Sequence, residues 1–256
     1  MRLIARDIVH RYQGLTALDG VSLEVGAREV VAVIGPSGCG KSTLLTILGG
    51  LLAPSAGTVA LDGLPPAGSL NPLTYVFQDF ALLPWATVEG NIALALSPHG
   101  LAPAERARRI ADVLARTGLT AFRGAHPKAL SGGMRQRVGI ARALVVNPAV
   151  LLMDEPLSAL DAQTREIMIE DFESLFAREP VAAVYVTHNL DEAVRLAHRI
   201  LVLSRRPGRM KAVLEVGVPP GQRRAPAAVA KLAAVREELW SLIADEARAA
   251  IEEQAP

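Results

Sequence analysis

Apolar and polar residues alternate with a period of two at the start of the chain, which predicts β-strands. The alternating apolar positions are Leu3, Ala5 and Val9, then Val21, Leu23 and Val25. Two continuous apolar runs, Glu29–Ile34 and Ala149–Met153, predict strands buried on both faces instead. Further strands are predicted at Thr58–Leu61, Leu73–Phe77, Val181–Thr187 and Ile200–Ser204.

Helical spacing of apolar residues begins after the third strand, where Lys41 opens a helix. Later helices are predicted at Val88–Leu96, Pro103–Thr117, Gly132–Val146, Ala162–Ala177, Asp191–Ala197 and Ala227–Ala249. The pattern therefore predicts an α/β fold, in which a βαβ-type core brackets an all-helical insert. A stretch containing Pro and Arg, Arg205–Pro226, separates the last predicted strand from the closing helix.

Composition limits the classes of function. The 256-residue chain has a formal net charge of +1, which gives no argument for nucleic acid as a partner. A single cysteine, Cys39, excludes an internal disulfide and a Cys-based zinc site, and it favours a reducing cytosol. The N-terminus has no apolar signal-peptide region, and the longest apolar runs are shorter than the ~20 residues that span a bilayer. Any membrane role would therefore require a partner.

A phosphate-binding loop is predicted between the third strand and the first helix. The segment fits the pattern GxxxxGK[ST], whose glycines let backbone N–H groups surround phosphates at a helix N-terminus. Lys41 is expected to reach the β- and γ-phosphates, and Ser42 to bind Mg²⁺. The strand–loop–helix context argues against a chance match. The expected ATP-binding residues here are Gly35, Pro36, Ser37, Gly38, Cys39, Gly40, Lys41, Ser42 and Thr43.

Two carboxylates end the apolar strand in the segment VLLMDEP. Asp154 is placed to bind Mg²⁺ through water. Because side chains alternate along a strand, Glu155 is expected to point elsewhere and to polarise the attacking water as a general base. A lone Asp-Glu pair would be explained as well by an acidic helix cap, but an upstream phosphate loop favours the metal and base roles.

The segment LSGGMRQR contains a second candidate anion site. Ser131 is a good N-cap, and Gly132 and Gly133 leave backbone N–H groups uncovered at the start of a helix. Taken alone, such a segment is more often a flexible turn before a helix. Its place inside the helical insert, ahead of VLLMDEP, favours the second anion site.

In this order, and together with Gln78 in YVFQD, Ser158–Asp161 and His188 in VTHNLDEA, the motifs resemble the nucleotide-binding subunit of ABC transporters. The resemblance covers roughly residues 1–215. It implies a P-loop NTPase (RecA-like) core with an antiparallel β subdomain, formed by residues 1–83 and 148–215. Residues 84–147 would form the inserted all-helical signature subdomain, and residues 216–256 a C-terminal helical tail.

The resemblance also implies roles. Lys41, Glu155 and His188 would be catalytic, with ATP and Mg²⁺ as ligands. Gln78 would contact Mg²⁺ together with Ser42 and Asp154, His188 would contact the γ-phosphate, and Tyr12 would stack on adenine. A packed surface aromatic is the alternative for Tyr12. Two copies would meet head to tail, so that Ser131, Gly132 and Gly133 face the partner's ATP and Asp161 lines the interface.

Two positions need comment. Met134 stands where many family members have Gln, which leaves the expected activity unchanged because the catalytic carboxylate is present. Cys39 lies at a helix N-terminus, which favours its thiolate. The sequence therefore predicts that thiol-alkylating reagents inhibit the enzyme and that ATP protects it.

The segment Leu-Leu-Pro-Trp ending at Trp85, the segment SRRPGR and the short tail resemble the ATPases of nitrate, sulfonate and taurine importers. This implies a bacterial subunit on the cytoplasmic face of the inner membrane. It would contact permease subunits through the region Gln78–Trp85 and serve a periplasmic or extracellular substrate-binding protein indirectly. For Trp85, packing under the insert is the alternative. A lipid or lipoprotein exporter, or an ABC ATPase without a transport role, would share the catalytic motifs.

Overall fold

A computed structural model describes residues 1–223 and 225–252, with side chains through residue 245. The predicted tail 216–256 therefore includes residues 224 and 253–256, which lie outside the described residues. The described strands are β1 Arg2–Tyr12, β2 Leu15–Val25, β3 Val30–Ile34, β4 Ala56–Asp62, β5 Leu73–Val76, β6 Val150–Asp154, β7 Ala182–Val186, β8 Arg199–Leu203 and β9 Met210–Glu215. The described helices are α1 Lys41–Leu48, α2 Val88–Leu94, α3 Pro103–Arg116, α4 Gly132–Leu144, α5 Ala162–Arg178, α6 Leu190–Leu196 and α7 Pro226–Glu252.

The strands form two sheets. One is antiparallel with the order β2-β1-β4, and the other has the order β5-β6-β7-β3-β8-β9. In the larger sheet β5, β6, β7, β3 and β8 are parallel, and β9 adds an antiparallel edge. The α/β fold with an antiparallel β sheet and helices between β5 and β6 agrees with the predicted fold class. The predicted domain boundaries stay a prediction.

Strand β3 is apolar throughout because both of its faces are covered. Val30, Ala32 and Ile34 belong to a core shared with the helices α2 to α6. Val31 and Val33 face a second core, which contains the leucines of α1 and the apolar faces of β1 and β2. Alternate side chains of β3 therefore pack into the two cores on opposite faces of the sheet. The loop after β3 starts from a strand that is packed on both faces.

Asn91 fixes the loop that precedes α2. Its side chain is fully buried, and its amide donates to the carbonyls of Leu83, Ala86 and Thr87 while its Oδ1 accepts from the Leu83 N–H at 2.7 Å. The turn that contains Trp85 is thus held from inside. As a result the Trp85 ring stands outside the core, with 75% of its surface exposed.

Strand β9 differs from the sequence prediction, which had no strand between Arg205 and Pro226. Residues Met210–Glu215 pair antiparallel with β8 at the sheet edge, where alternate side chains are exposed. The helix α7 then packs on α6, β8 and β9, with Leu239 fully buried. Among the described residues, no helix combines the length and apolarity needed to cross a membrane.

Candidate functional site

The loop between β3 and α1 requires glycine at its last position. Gly40 has φ 103° and is the N-cap of α1. A Cβ at this residue would lie 3.0 Å from the Ala17 carbonyl and 2.8 Å from the Leu18 side chain. Only glycine combines this conformation with so close an approach of β2. The loop therefore leaves the helix N-terminus open towards the solvent, which is the arrangement that binds anions.

Lys41 begins α1 and folds back over this loop. Its side chain is buried, and the ammonium donates to the Gly35 carbonyl at 2.8 Å and to the Pro36 carbonyl at 3.0 Å. The positive charge is therefore held inside the curve of the loop. A phosphate placed there would meet an ammonium whose position is already fixed.

Ser42 and Asp154 meet across the end of the sheet. The Ser42 hydroxyl donates to Asp154 Oδ1 at 3.1 Å, and the Tyr75 phenol donates to Oδ2 at 3.4 Å. Burial raises the pKa of the Asp154 carboxyl, and burial together with the nearby Asp154 raises the pKa of the Tyr75 phenol. One hydroxyl and one carboxylate are oxygen donors that suit Mg²⁺, which keeps several waters and takes few protein ligands. Among the described residues, no group of three or more His, Cys, Asp or Glu is placed to hold a metal ion.

Glu155 lies just beyond β6, where the chain turns. Its φ is 43°, and its N–H donates to the Val186 carbonyl at 3.0 Å. The direction of its side chain therefore follows from this turn and not from strand alternation, which corrects the sequence argument. The carboxylate Oε2 lies 3.0 Å from Nδ1 of His188, so the structure brings these two predicted residues together.

Gln78 and Asp161 lie on loops near this pair. The Gln78 amide donates to the Ser158 hydroxyl at 3.2 Å, and that hydroxyl donates to the Glu155 carbonyl at 2.9 Å. Asp161 caps α5, and hydrogen bonds from Thr164 hold the pKa of its carboxyl below the usual range. Gln78 thus contacts the segment after Glu155, and its contact with Mg²⁺ remains a prediction.

A cleft of about 410 Å³ opens above the phosphate loop. Tyr12 lines it with 45% of its surface exposed, its ring packs edge-on against His10, and its phenol lies 3.5 Å from the Thr43 hydroxyl. Arg206, on the loop after β8, lines the same cleft and donates through Nε and Nη2 to the Gly38 carbonyl at 3.2 Å. The cleft therefore combines an exposed aromatic ring, a loop rich in N–H groups and a second cation.

The sequence did not single out Arg206 as a site residue, although SRRPGR was noted as a resemblance. Arg206 reaches the site because its loop is fastened to β2. Gly208 exchanges backbone hydrogen bonds with Ala17 and Asp19, and Arg209 forms an ion pair with Asp19 at 2.6 Å. These contacts join segments far apart in the chain, so no local pattern indicates them.

The second predicted anion site lies elsewhere on the chain. Ser131 caps α4 by accepting from the Met134 N–H at 3.3 Å, and a Cβ on Gly132 or Gly133 would contact Leu160 or Thr164. Among the described residues, those that line the 410 Å³ cleft do not include the three signature residues. One chain thus presents two separate N–H-rich helix ends.

Cys39 is less accessible than the sequence suggested. Only 1% of its surface is exposed, and its sulfur packs against Gly35 inside the phosphate loop. A reagent cannot reach this sulfur while the loop is closed. The predicted alkylation must therefore wait for a local opening.

Comparison with known proteins agrees with this geometry. A sequence profile of the family described as ABC transporter matches residues 18–158. The chain belongs to the ABC transporter family. It is 43% identical to a putative ATP-binding protein of Brucella abortus over 93% of this chain and 91% of that protein. It is also 47% identical to the taurine import ATP-binding protein TauB of Burkholderia pseudomallei over 79% of this chain and 78% of that protein.

The fold matches that of a solved ABC cassette. The dimeric structure of MJ0796, a bacterial ABC transporter cassette, superposes with a TM-score of 0.71 at 31% identity and covers 84% of this chain and 99% of that one. A second MJ0796 structure, a post-hydrolysis state bound to ADP and Pi, superposes with a TM-score of 0.69 at 30% identity, with the same coverage. This chain is accordingly an ATP-binding subunit and an ATPase of this family.

Proposed function

We propose that this chain is the ATP-hydrolysing subunit of an importer for small anions of the nitrate, sulfonate or taurine type. Two copies would close on ATP, and closure would move membrane-embedded permease subunits. The observation that carries the proposal is the pair of separate N–H-rich helix ends, at the phosphate loop and at the Ser131 cap, on one chain. The TauB relative and the exposed Trp85 support the choice of importer.

ATP would lie in the 410 Å³ cleft, with adenine on the Tyr12 ring and the phosphates in the loop Gly35–Gly40. The fixed ammonium of Lys41 would neutralise the β- and γ-phosphates. Ser42 and Asp154, already within 3.1 Å of each other, would hold Mg²⁺, and Gln78 would join them by leaving Ser158. When bound, Mg²⁺ would supply neutralisation of the charge that builds on the phosphate oxygens.

Glu155 would accept a proton from the attacking water, because its carboxylate is held by one hydrogen bond and retains a second oxygen for that proton. His188 Nδ1, 3.0 Å away, would orient this carboxylate, and the His188 side chain, 61% exposed, would contact the γ-phosphate. The position of the Glu155 carboxylate would thereby depend, through His188, on whether the γ-phosphate is present.

A head-to-tail dimer would complete each site. The N–H groups at Ser131, Gly132 and Gly133 would face the γ-phosphate held by the partner, and Asp161 would lie at the interface. This arrangement gives the second anion site a ligand that the cleft of its own chain cannot supply. A closed two-fold dimer is the symmetry that satisfies both sites at once.

The permease would dock on the side of the molecule that carries Trp85. A groove of about 530 Å³ lies at the C-terminal end of α2, and Leu51, Phe77 and Leu94 line it with exposed apolar surface. An exposed apolar patch with polar neighbours is typical of a protein contact. The subunit would then sit on the cytoplasmic face of a bacterial inner membrane as a peripheral protein, and a substrate-binding protein would act on the permease from the other side.

The importer proposal is tested first by searching for a permease and a substrate-binding protein encoded next to this chain. The three proteins are purified together and reconstituted in lipid vesicles, and ATP hydrolysis is followed with and without taurine, an alkanesulfonate or nitrate. Stimulation by one of these anions supports import. Purification without any membrane partner, or hydrolysis that ignores all three anions and their binding protein, contradicts it. The variant Trp85→Ala should lose the stimulation and keep the hydrolysis of the isolated subunit.

A further inference from the structure

Glu192, on α6, is a buried carboxylate for which the proposed reaction has no use. Only 2% of its surface is exposed. Its Oε2 accepts from the Thr187 hydroxyl at 2.7 Å and from the Tyr185 phenol at 3.0 Å, and Oε1 lies 3.8 Å from Nε of Arg165 on α5. Burial raises the pKa of this carboxyl, and both hydroxyls and Arg165 oppose that shift. Because the Arg165 side chain is 29% exposed and lies 3.8 Å from the carboxylate, this ion pair adds little to stability, so a positioning role is a better explanation of its geometry.

One end of this pair holds the turn that carries His188. The Thr187 hydroxyl that donates to Glu192 also accepts from the Asn189 N–H at 3.0 Å. The residues on both sides of His188 are therefore fixed by a single hydroxyl, and Glu192 fixes the hydroxyl. Glu192 therefore acts on the position of His188 through the turn.

The other end holds the loop that follows Glu155. Arg165 donates to the Leu160 carbonyl at 2.8 Å and to the Leu157 carbonyl at 3.4 Å. This loop leads to Asp161, and Leu160 packs against Gly132 of the signature segment. Arg165 therefore connects two parts of the structure. One is the segment expected to face the second copy, and the other is the Glu192 carboxylate, which holds the His188 turn.

We propose that Arg165 and Glu192 form a positioning pair. When the second copy contacts Leu160 and Asp161, the pair transmits that contact to the turn that carries His188. The pair acts through the His188 turn and not by contact with the nucleotide. It fixes the relative position of two loops, the one that begins at Glu155 and the one that carries His188. This inference rests on the proposed roles of Glu155 and His188.

The test uses Glu192→Gln and Arg165→Gln in the full chain, with Glu173→Gln as the matched control. Glu173 is also buried on α5, and it forms an ion pair with Arg195 of α6 at 3.0 Å, away from the His188 turn. Glu192→Gln keeps an acceptor for both hydroxyls and removes only the charge. We expect kcat to fall about tenfold in each of the two pair variants, with ATP affinity and KM unchanged, and we expect Glu173→Gln to keep the wild-type kcat.

Two further readouts separate positioning from stability. If the pair acts as a unit, the double variant should lose no more kcat than the worse single variant. The ring resonances of His188, assigned by their absence in His188→Ala, should shift in Glu192→Gln and not in Glu173→Gln. Additive losses, an unmoved His188 resonance, or a kcat loss equal to that of Glu173→Gln would each overturn the proposal. Full turnover in Glu155→Gln would instead refute the proposed roles of the site, whatever the pair does.

Discussion

His188 Nδ1 lies 3.0 Å from Oε2 of Glu155, so two loops that follow different strands share one hydrogen bond at the candidate site. Replacing Glu155 with Gln keeps the shape of this contact and removes the proton acceptor. We expect turnover to fall by about two to four orders of magnitude, the range typical of a general base, while ATP binding persists. Phosphate release and nucleotide binding are measured on the same preparation.

Glu155→Gln should also accumulate as an ATP-bound dimer, because closed sites can no longer reset. Light scattering after gel filtration, with and without ATP, measures this. Glu166→Gln is the control, since Glu166 is an exposed carboxylate on α5 whose pairing with Arg195 lies outside the site. Normal turnover in Glu155→Gln would remove Glu155 from the role of base.

Lys41→Ala is expected to act at an earlier step. The ammonium of Lys41 contacts two loop carbonyls, so its removal takes away both the loop's internal cation and the charge offered to the phosphates. We expect loss of ATP binding, whereas Glu155→Gln loses only turnover. Equilibrium binding of a fluorescent ATP analogue distinguishes the two, with the exposed Lys128→Ala as control. Tight binding in Lys41→Ala would contradict the assignment.

Tyr12 provides a test of the adenine position. Stacking of a base on an aromatic ring contributes about 1–3 kcal/mol, so Tyr12→Ala should weaken ATP binding by about 5- to 160-fold. Tyr12→Phe keeps the ring and loses only the 3.5 Å contact with the Thr43 hydroxyl, so its affinity should stay close to that of the wild type. If Ala and Phe behave alike, Tyr12 is a packed surface aromatic, the alternative that the sequence left open.

The thiol of Cys39 gives a different kind of test, because the chain has one cysteine. With 1% of its surface exposed, Cys39 should react with N-ethylmaleimide only through local opening of the phosphate loop. We expect slow labelling of the native protein, slower still with ATP, and fast labelling in denaturant. Mass spectrometry over time measures the rate. Equally fast labelling of native and denatured protein would show that the loop does not protect the sulfur.

The parts of the fold that were predictable are those with strong local signals. The buried run before Gly35 and the pattern around Lys41 predicted β3, the loop and α1 because each depends on neighbours in sequence. Strand β9 was missed because Met210–Glu215 lies between Pro- and Arg-rich segments and is exposed on alternate positions at the sheet edge. Its pairing with β8 is visible only once the sheet is assembled.

The candidate site divides in the same way. Motif spacing indicated Lys41, Asp154 and Glu155, but the direction of Glu155 depends on a turn with φ 43° that strand alternation does not describe. Arg206 and the pair of Arg165 with Glu192 escaped the sequence because each contact joins different elements. Contacts of this kind come from topology, so local patterns of polarity do not predict them.

His198 should make the stability of the protein depend on pH, because it contacts the start of β3, the strand that leads to the phosphate loop. Its ring Nδ1 accepts from the Val30 N–H at 3.0 Å, and the backbone N–H of His198 donates to the Val30 carbonyl at 2.7 Å, at the start of β3. A ring nitrogen that accepts a hydrogen bond cannot carry a proton, so the folded state needs neutral imidazole here. Burial, and then the charge of Arg223, lower the pKa of His198, while Glu29 and Glu215 oppose them in part.

Because the folded pKa of His198 lies below the unfolded one, the unfolded chain binds more protons on acidification through the unfolded pKa of about 6.5. The free energy of unfolding should therefore fall as the pH drops through that value, until the folded pKa is reached. His198→Asn keeps an acceptor near Val30 and cannot titrate. We expect urea unfolding to show a smaller difference between about pH 7.5 and about pH 5.5 in His198→Asn than in the wild type. The other four histidines are common to both proteins, so they cancel in this comparison. An equal pH dependence in the two proteins would mean that His198 is not held neutral at the start of β3.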